Sequence, residues 1–126
     1  MITVDKQIEY WRTNSEKDID TATVLIDAKK YTEGLFFCHM SIEKIIKAHV
    51  VKKTEQIPPK THDLFYLVEI AMIEFSESQS DMMNILMKYQ LEGRYPEYYP
   101  RVPSSEKIIE YLTKTKELLQ WFNKRL

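Results

Sequence analysis

Glycine is nearly absent from this chain of 126 residues, with two in all. That scarcity excludes the glycine-rich loops that cradle phosphates in P-loop and dinucleotide-binding proteins, and it leaves little material for tight β-turns. A single cysteine, Cys38, rules out an internal disulfide. Cys38 falls within a helically spaced apolar stripe, so it is expected to be a small buried hydrophobe and not a reactive thiol. Neither charge sign dominates: eighteen basic residues oppose nineteen acidic ones, for a formal charge of -1. Any contact with nucleic acid must therefore come from a local patch and not from an overall positive field. Long hydrophobic runs are missing too. No segment reaches the roughly 20 apolar residues a membrane helix needs, and the N-terminal MITVDKQIEYW carries no apolar run of signal length. The expectation is a cytoplasmic protein. Alternating β-branched runs, internal repeats and low-complexity segments are also lacking, and this excludes strand-rich and solenoid architectures.

What remains is helical periodicity. In Tyr31 to His49, Leu35, Cys38, Ile42, Ile45 and Ile46 recur at three- and four-residue steps, widened by Phe36 and Phe37 and flanked by Glu43, Lys44 and Lys47. This stretch is expected to be a central helix that touches neighbours on more than one side. Before it, Ile8, Trp11, Ile19, Ala22, Leu25 and Ile26 predict a long helix from Asp5 to about Lys30, capped by Thr3 or Asp5. Ser15 stands where that stripe calls for an apolar residue, so the first three turns are expected to pack less deeply or against another subunit. Thr32 is the expected cap of the central helix. A short connection makes the first two helices antiparallel neighbours.

Pro58-Pro59 forces a loop. Thr61 or His62 then caps a third helix, with Asp63 in its first turn, running to about Phe75. A fourth starts at Ser80-Asp81 and carries Met82, Ile85, Leu86 and Tyr89, while Met82, Met83 and Met87 suit adaptable core packing. Both of these helices are expected to be short. Gly93 to Pro103, GRYPEYYPRVP, holds three of the five prolines and is expected not to form a regular helix. Ser104 caps a last helix to about Lys124, with Ile108, Ile109, Leu112, Leu119 and Phe122 inward. The whole predicts an all-α, up-and-down bundle of about five helices, three long and two short, in one domain spanning 1–126.

Several of these residues together resemble the HEPN domain family. They are Asp18 with Ala22 and Leu25, then Tyr31, Phe37 and His39, the Glu43-Lys44 pair with Lys47, Thr61-His62-Asp63-Leu64, and Arg94-Tyr95-Pro96. The resemblance covers about Glu16 to Leu118. It implies a bundle of long and short helices that pairs into a homodimer. It also implies one of two activities: metal-independent RNA cleavage, or nucleotide binding beside a small nucleotidyltransferase in a toxin-antitoxin-like module. The family's ribonucleases carry an Arg followed, after four to six residues, by a His. Here no His follows Arg12, Arg94, Arg101 or Arg125 at that spacing, and the last histidine is His62. The expectation is thus a nucleotide- or RNA-binding protein without turnover.

The candidate ligand residues are Arg94, Tyr95, His62, Lys44 and Lys47. A guanidinium in the Pro/Tyr-rich segment can grip a phosphate bidentately while a tyrosine stacks on a base. His62 can bind phosphate or move a proton, or simply cap its helix. Lys44 and Lys47 share a helix face that can meet an anion, or can serve as a solvated charged face. Asp18, His39 and Glu43 are supporting residues, Asp18 by reaching the lysines across the first two helices. Three scattered histidines and one cysteine make no zinc pattern, and neither metal nor cofactor is expected. The enzyme alternative is a divergent ribonuclease using Arg94 and His62. A further alternative is a non-catalytic interaction module built on the tyrosine-rich segment.

Overall fold

A computed structural model of the chain describes residues 3–94 and 102–126; the side chains of residues 91–94 lie outside that description. Five α-helices follow in order: α1 Val4–Asp27, α2 Tyr31–Thr54, α3 Leu64–Ala71, α4 Glu77–Arg94 and α5 Ser105–Lys124. Helix α2 packs against all four others, as a central helix should. Its fully buried residues include Leu35, Cys38, Ile42, Ile45 and Ile46, and the core continues through Leu64, Leu67, Met83, Leu86, Ile108 and Phe122.

Helix α1 starts as its sequence predicts, with the Thr3 side chain accepting from the Lys6 N–H. It stops at Asp27, three residues early. Lys29 turns left-handed (φ 63°), the Lys29 N–H donates to Ile26 O and the Lys30 N–H to Leu25 O, a C-terminal motif that usually places glycine at that position. Glu55 and Met72 end α2 and α3 in the same left-handed region. The scarcity of glycine is therefore met with ordinary residues at strained stops, each at a cost of about 1–2 kcal/mol.

The glycine that does matter here is used for closeness. A Cβ on Gly34 would lie 2.5 Å from Ile26 Cγ1, so glycine lets the start of α2 pack onto the end of α1. Ser15 does similar work further along the same antiparallel seam. It is fully buried, and its carbonyl accepts from Ser41 Oγ at 2.8 Å. No residue before Ser15 in α1 is fully buried, in keeping with the polar early stripe.

Three expected helix starts need correction. Lys30, not Thr32, precedes α2 as its cap residue, without a side-chain cap; Thr32 is buried inside the helix. Asp63 caps α3, its carboxylate accepting from the Phe65 and Tyr66 N–H groups, because an ionised oxygen at the helix N-terminus outcompetes an imidazole. Thr61 Oγ1 instead accepts from the Asp63 N–H. Helix α4 begins at Glu77: the Ser76 N–H donates to Gln79 Oε1 while the Gln79 N–H donates to Ser76 Oγ, a reciprocal capping box. The S-x-x-Q spelling of that box was visible in the sequence. Helix α4 is thus 18 residues long, includes Gly93 and Arg94, and leaves α3 as the one short helix among the five described.

At the other end, Ser104 caps α5 by accepting from the Lys107 N–H. Ile109 is 56% exposed, while Thr115 and Leu118 are buried beside Ile108, Leu112, Leu119 and Phe122. The stripe is the expected one except at Ile109, which faces out, and it is widened by Thr115 and Leu118.

Candidate functional site

Helix α2 carries His39, Glu43 and Lys47 at successive four-residue steps, so the three side chains stack on one face. All three are buried. The Glu43 carboxylate serves two donors: Lys47 Nζ donates to Oε2 at 3.0 Å, and His62 Nδ1 lies 2.8 Å from Oε1. A buried carboxylate must be paired and hydrogen-bonded, and this one is. His39 Nε2 lies 3.0 Å from the backbone oxygen of His62. A carbonyl only accepts, so His39 carries its proton on Nε2; its Nδ1 is 3.8 Å from Glu43 Oε1.

Two buried residues one turn apart therefore hold the same histidine, one by its backbone and one by its ring. The His62 side chain is 44% exposed while that of Glu43 is 2% exposed. His62 thus stands at the boundary between a buried ionic network and the surface, on the turn that leads into α3. Helix α4 closes this end of the bundle, with Met87 Sδ accepting from the Leu64 N–H at 3.4 Å. The backbone of Arg94 lies seven residues further along α4, or about 10 Å at helical rise.

The other candidates fall around this core. Lys47 Nζ also lies 5.2 Å from the centre of the Trp11 ring, a cation–π contact that ties α1 to the network. Lys44 pairs with Asp18 at 2.7 Å across α1 and α2, the Asp-Lys contact expected from antiparallel neighbours. Asp18, Lys44, Lys47, Glu43, His39 and His62 therefore all lie in two adjoining charged groups. Tyr95 and the Arg94 side chain lie outside the described residues.

The burial of Lys47, 7% exposed, was not legible in the charge pattern, because a lysine beside Glu43 at four-residue spacing describes a surface pair equally well. Trp11 belongs to the apolar stripe expected of α1, and its distance from Lys47 in the sequence hides the contact.

The cluster lies apart from a surface hollow of about 330 Å³ lined by Ser76, Gln79, Met82, Lys114, Leu118 and Trp121. Cys38 is fully buried, and burial pushes its thiol up to about 12, which makes it an inert packing residue. Among the described residues no group of three or more His, Cys, Asp or Glu side chains is arranged to hold a metal ion, and no helix is long and apolar enough to cross a membrane.

A family model described as the HEPN domain matches residues 8–126. The chain belongs to the HEPN family. Among solved structures, the TT1696 protein of Thermus thermophilus superposes with a TM-score of 0.81 at 17% identity, covering 95% of this chain and 98% of that one. An archaeal HEPN homologue, ST0689, superposes with a TM-score of 0.62 at 17% identity, covering 94% of this chain and 96% of that one. At that identity the likeness shows the fold alone. No curated protein matches this chain in sequence.

Proposed function

We propose that this HEPN protein binds a nucleotide or single-stranded RNA at the surface around His62, as a homodimer and without turnover. The observation that supports the reading is the half-exposed His62 ring seated on the buried Glu43–Lys47 pair. Holding two charges out of water is expensive, and here that expense orients a surface imidazole. Arg94 supplies a guanidinium for phosphate and Tyr95 a ring for stacking. The ammonium of Lys47 is committed to Glu43, so its part is to hold the carboxylate, with Lys44 and Asp18 at the rim. On family grounds alone, a small nucleotidyltransferase is the proposed protein partner, in a toxin-antitoxin-like pair.

The test is saturable binding of labelled ATP, GTP and a short RNA to the purified protein at low and physiological salt, beside Arg94→Ala. Binding that weakens at least tenfold in the variant supports the site. Absence of binding to all three at low salt removes the reading in favour of an interaction module. Degradation of the RNA in chelator, abolished by both His62→Ala and Arg94→Ala, would replace it with the ribonuclease alternative.

A further inference from the structure

The Glu43–His62 contact determines more than where the ring sits. An ionised carboxylate only accepts, so the 2.8 Å contact with Glu43 Oε1 places a proton on His62 Nδ1. That holds for the neutral ring and for the charged one. The nitrogen that differs between the two forms is then Nε2, across the ring from the buried carboxylate. The geometry points to Glu43 as the positioning residue that sets the His62 tautomer and confines its proton exchange to Nε2, with Lys47 as the group that makes a carboxylate necessary at position 43.

The necessity comes from counting acceptors. Glu43 faces two obligatory donors, the Lys47 ammonium on Oε2 and the His62 Nδ1–H on Oε1. A carboxylate satisfies both. A glutamine amide offers one oxygen and one NH₂, so Glu43→Gln must choose. The charged ammonium makes the stronger hydrogen bond and cannot accept one, so it takes the oxygen. The amide NH₂ then points at His62 Nδ1, which must become the acceptor, and the neutral ring must move its proton to Nε2. His39 keeps the ring in place during that change, because it holds the backbone carbonyl of His62 and not the side chain. The tautomer can therefore reverse without moving the residue.

This inference deepens the proposed binding site and rests on it only for the ligand readout. In the neutral ring Nε2 accepts, so the group it takes from a nucleotide is an O–H or N–H donor. Reversing the tautomer makes Nε2 a donor and mismatches that group.

The experiment is ¹⁵N NMR of the histidine rings in the full chain, at a pH above the ring titration recorded in the same spectra, paired with nucleotide affinity. Wild type is expected to show His62 protonated on Nδ1 and unprotonated on Nε2. Glu43→Gln is expected to show the reverse and to lose at least tenfold in affinity for whichever of ATP, GTP or RNA binds. The double variant Glu43→Gln/Lys47→Met removes the competing donor, frees the amide oxygen for His62, and is expected to return the Nδ1–H form and the affinity. A merely structural role for Glu43 predicts further loss in the double variant, not recovery. A wild-type ring protonated on Nε2, or a tautomer unchanged by Glu43→Gln, overturns the inference. A tautomer pattern as expected with no ligand bound by wild type overturns the proposed binding function instead, and leaves the assignment of Glu43 standing.

Discussion

The two halves of α2 each carry a histidine bonded to a distant backbone carbonyl, and they are put to different uses. His39 meets His62 O at 3.0 Å; His49 meets Phe122 O at 2.7 Å. Around His49 everything is closure. Its ring meets the Phe122 ring edge-on, and Lys52 Nζ donates to Leu126 O at 2.6 Å, so the last turn of α2 fastens the end of α5. Around His39 the same device fastens a turn whose own side chain stays half exposed and is gripped by a buried carboxylate. A histidine bonded to a carbonyl is thus a structural tie in both places. Ligand contact is proposed only at the one where a carboxylate meets an exposed ring.

That contrast breaks most easily at Lys47. Lys47→Ala leaves Glu43 buried without its cation and is expected to destabilise the fold by about 3–5 kcal/mol, read as a lowered urea midpoint. A loss under about 1 kcal/mol would mean that the network is wet and carries no strain worth orienting a ring. His49→Ala removes a buried ring and orphans the Phe122 carbonyl, for an expected loss of about 2–3 kcal/mol with ligand affinity unchanged, since His49 lies at the closing end.

Acid sharpens the comparison. Burial lowers His49 below its ordinary value of 6.5, outweighing the Phe122 hydrogen bond. The folded state therefore favours the neutral ring, and the unfolded state binds the proton more readily. Stability from this group is complete above about pH 6.5 and is lost as pH falls through the lowered folded value. The urea midpoint of wild type is expected to fall over that window, and His49→Gln to flatten that part of the profile. A midpoint that rises on acidification would contradict the sign.

How much of this could be read beforehand differs between the two halves as well. The all-α bundle, the central position of α2 and the caps at Thr3 and Ser104 follow from periodicity and local hydrogen bonding, which act over a few residues and are written in order along the chain. Asp63 and the Ser76–Gln79 box were equally local, and were displaced by more conspicuous neighbours, His62 and the Ser80-Asp81 pair. The site was less legible. Glu43, Lys47 and His39 were singled out, but their convergence on His62 depends on a contact spanning 19 residues through the Pro58-Pro59 loop, and the partnership of Lys47 with Trp11 on a contact between helices. Periodicity names which residues share a face; it does not say which face is closed off from water, and closure turns an ordinary Glu-Lys pair into a network that can orient a ring.

The smallest expected effect on folding carries the central claim. His62→Ala removes a ring whose side chain is 44% exposed but also takes one donor from the buried Glu43 carboxylate, so the fold should lose about 1–2 kcal/mol. The direct test is the affinity of that variant for the nucleotide or short RNA that binds wild type, at physiological salt and on protein confirmed to be folded. A loss of at least tenfold on folded protein, with a smaller drop in urea midpoint than His49→Ala shows, is the result expected of a ring held for a ligand. Unaltered affinity would mean that His62, like His49, only fastens the bundle, and that the Glu43–Lys47 network is structural.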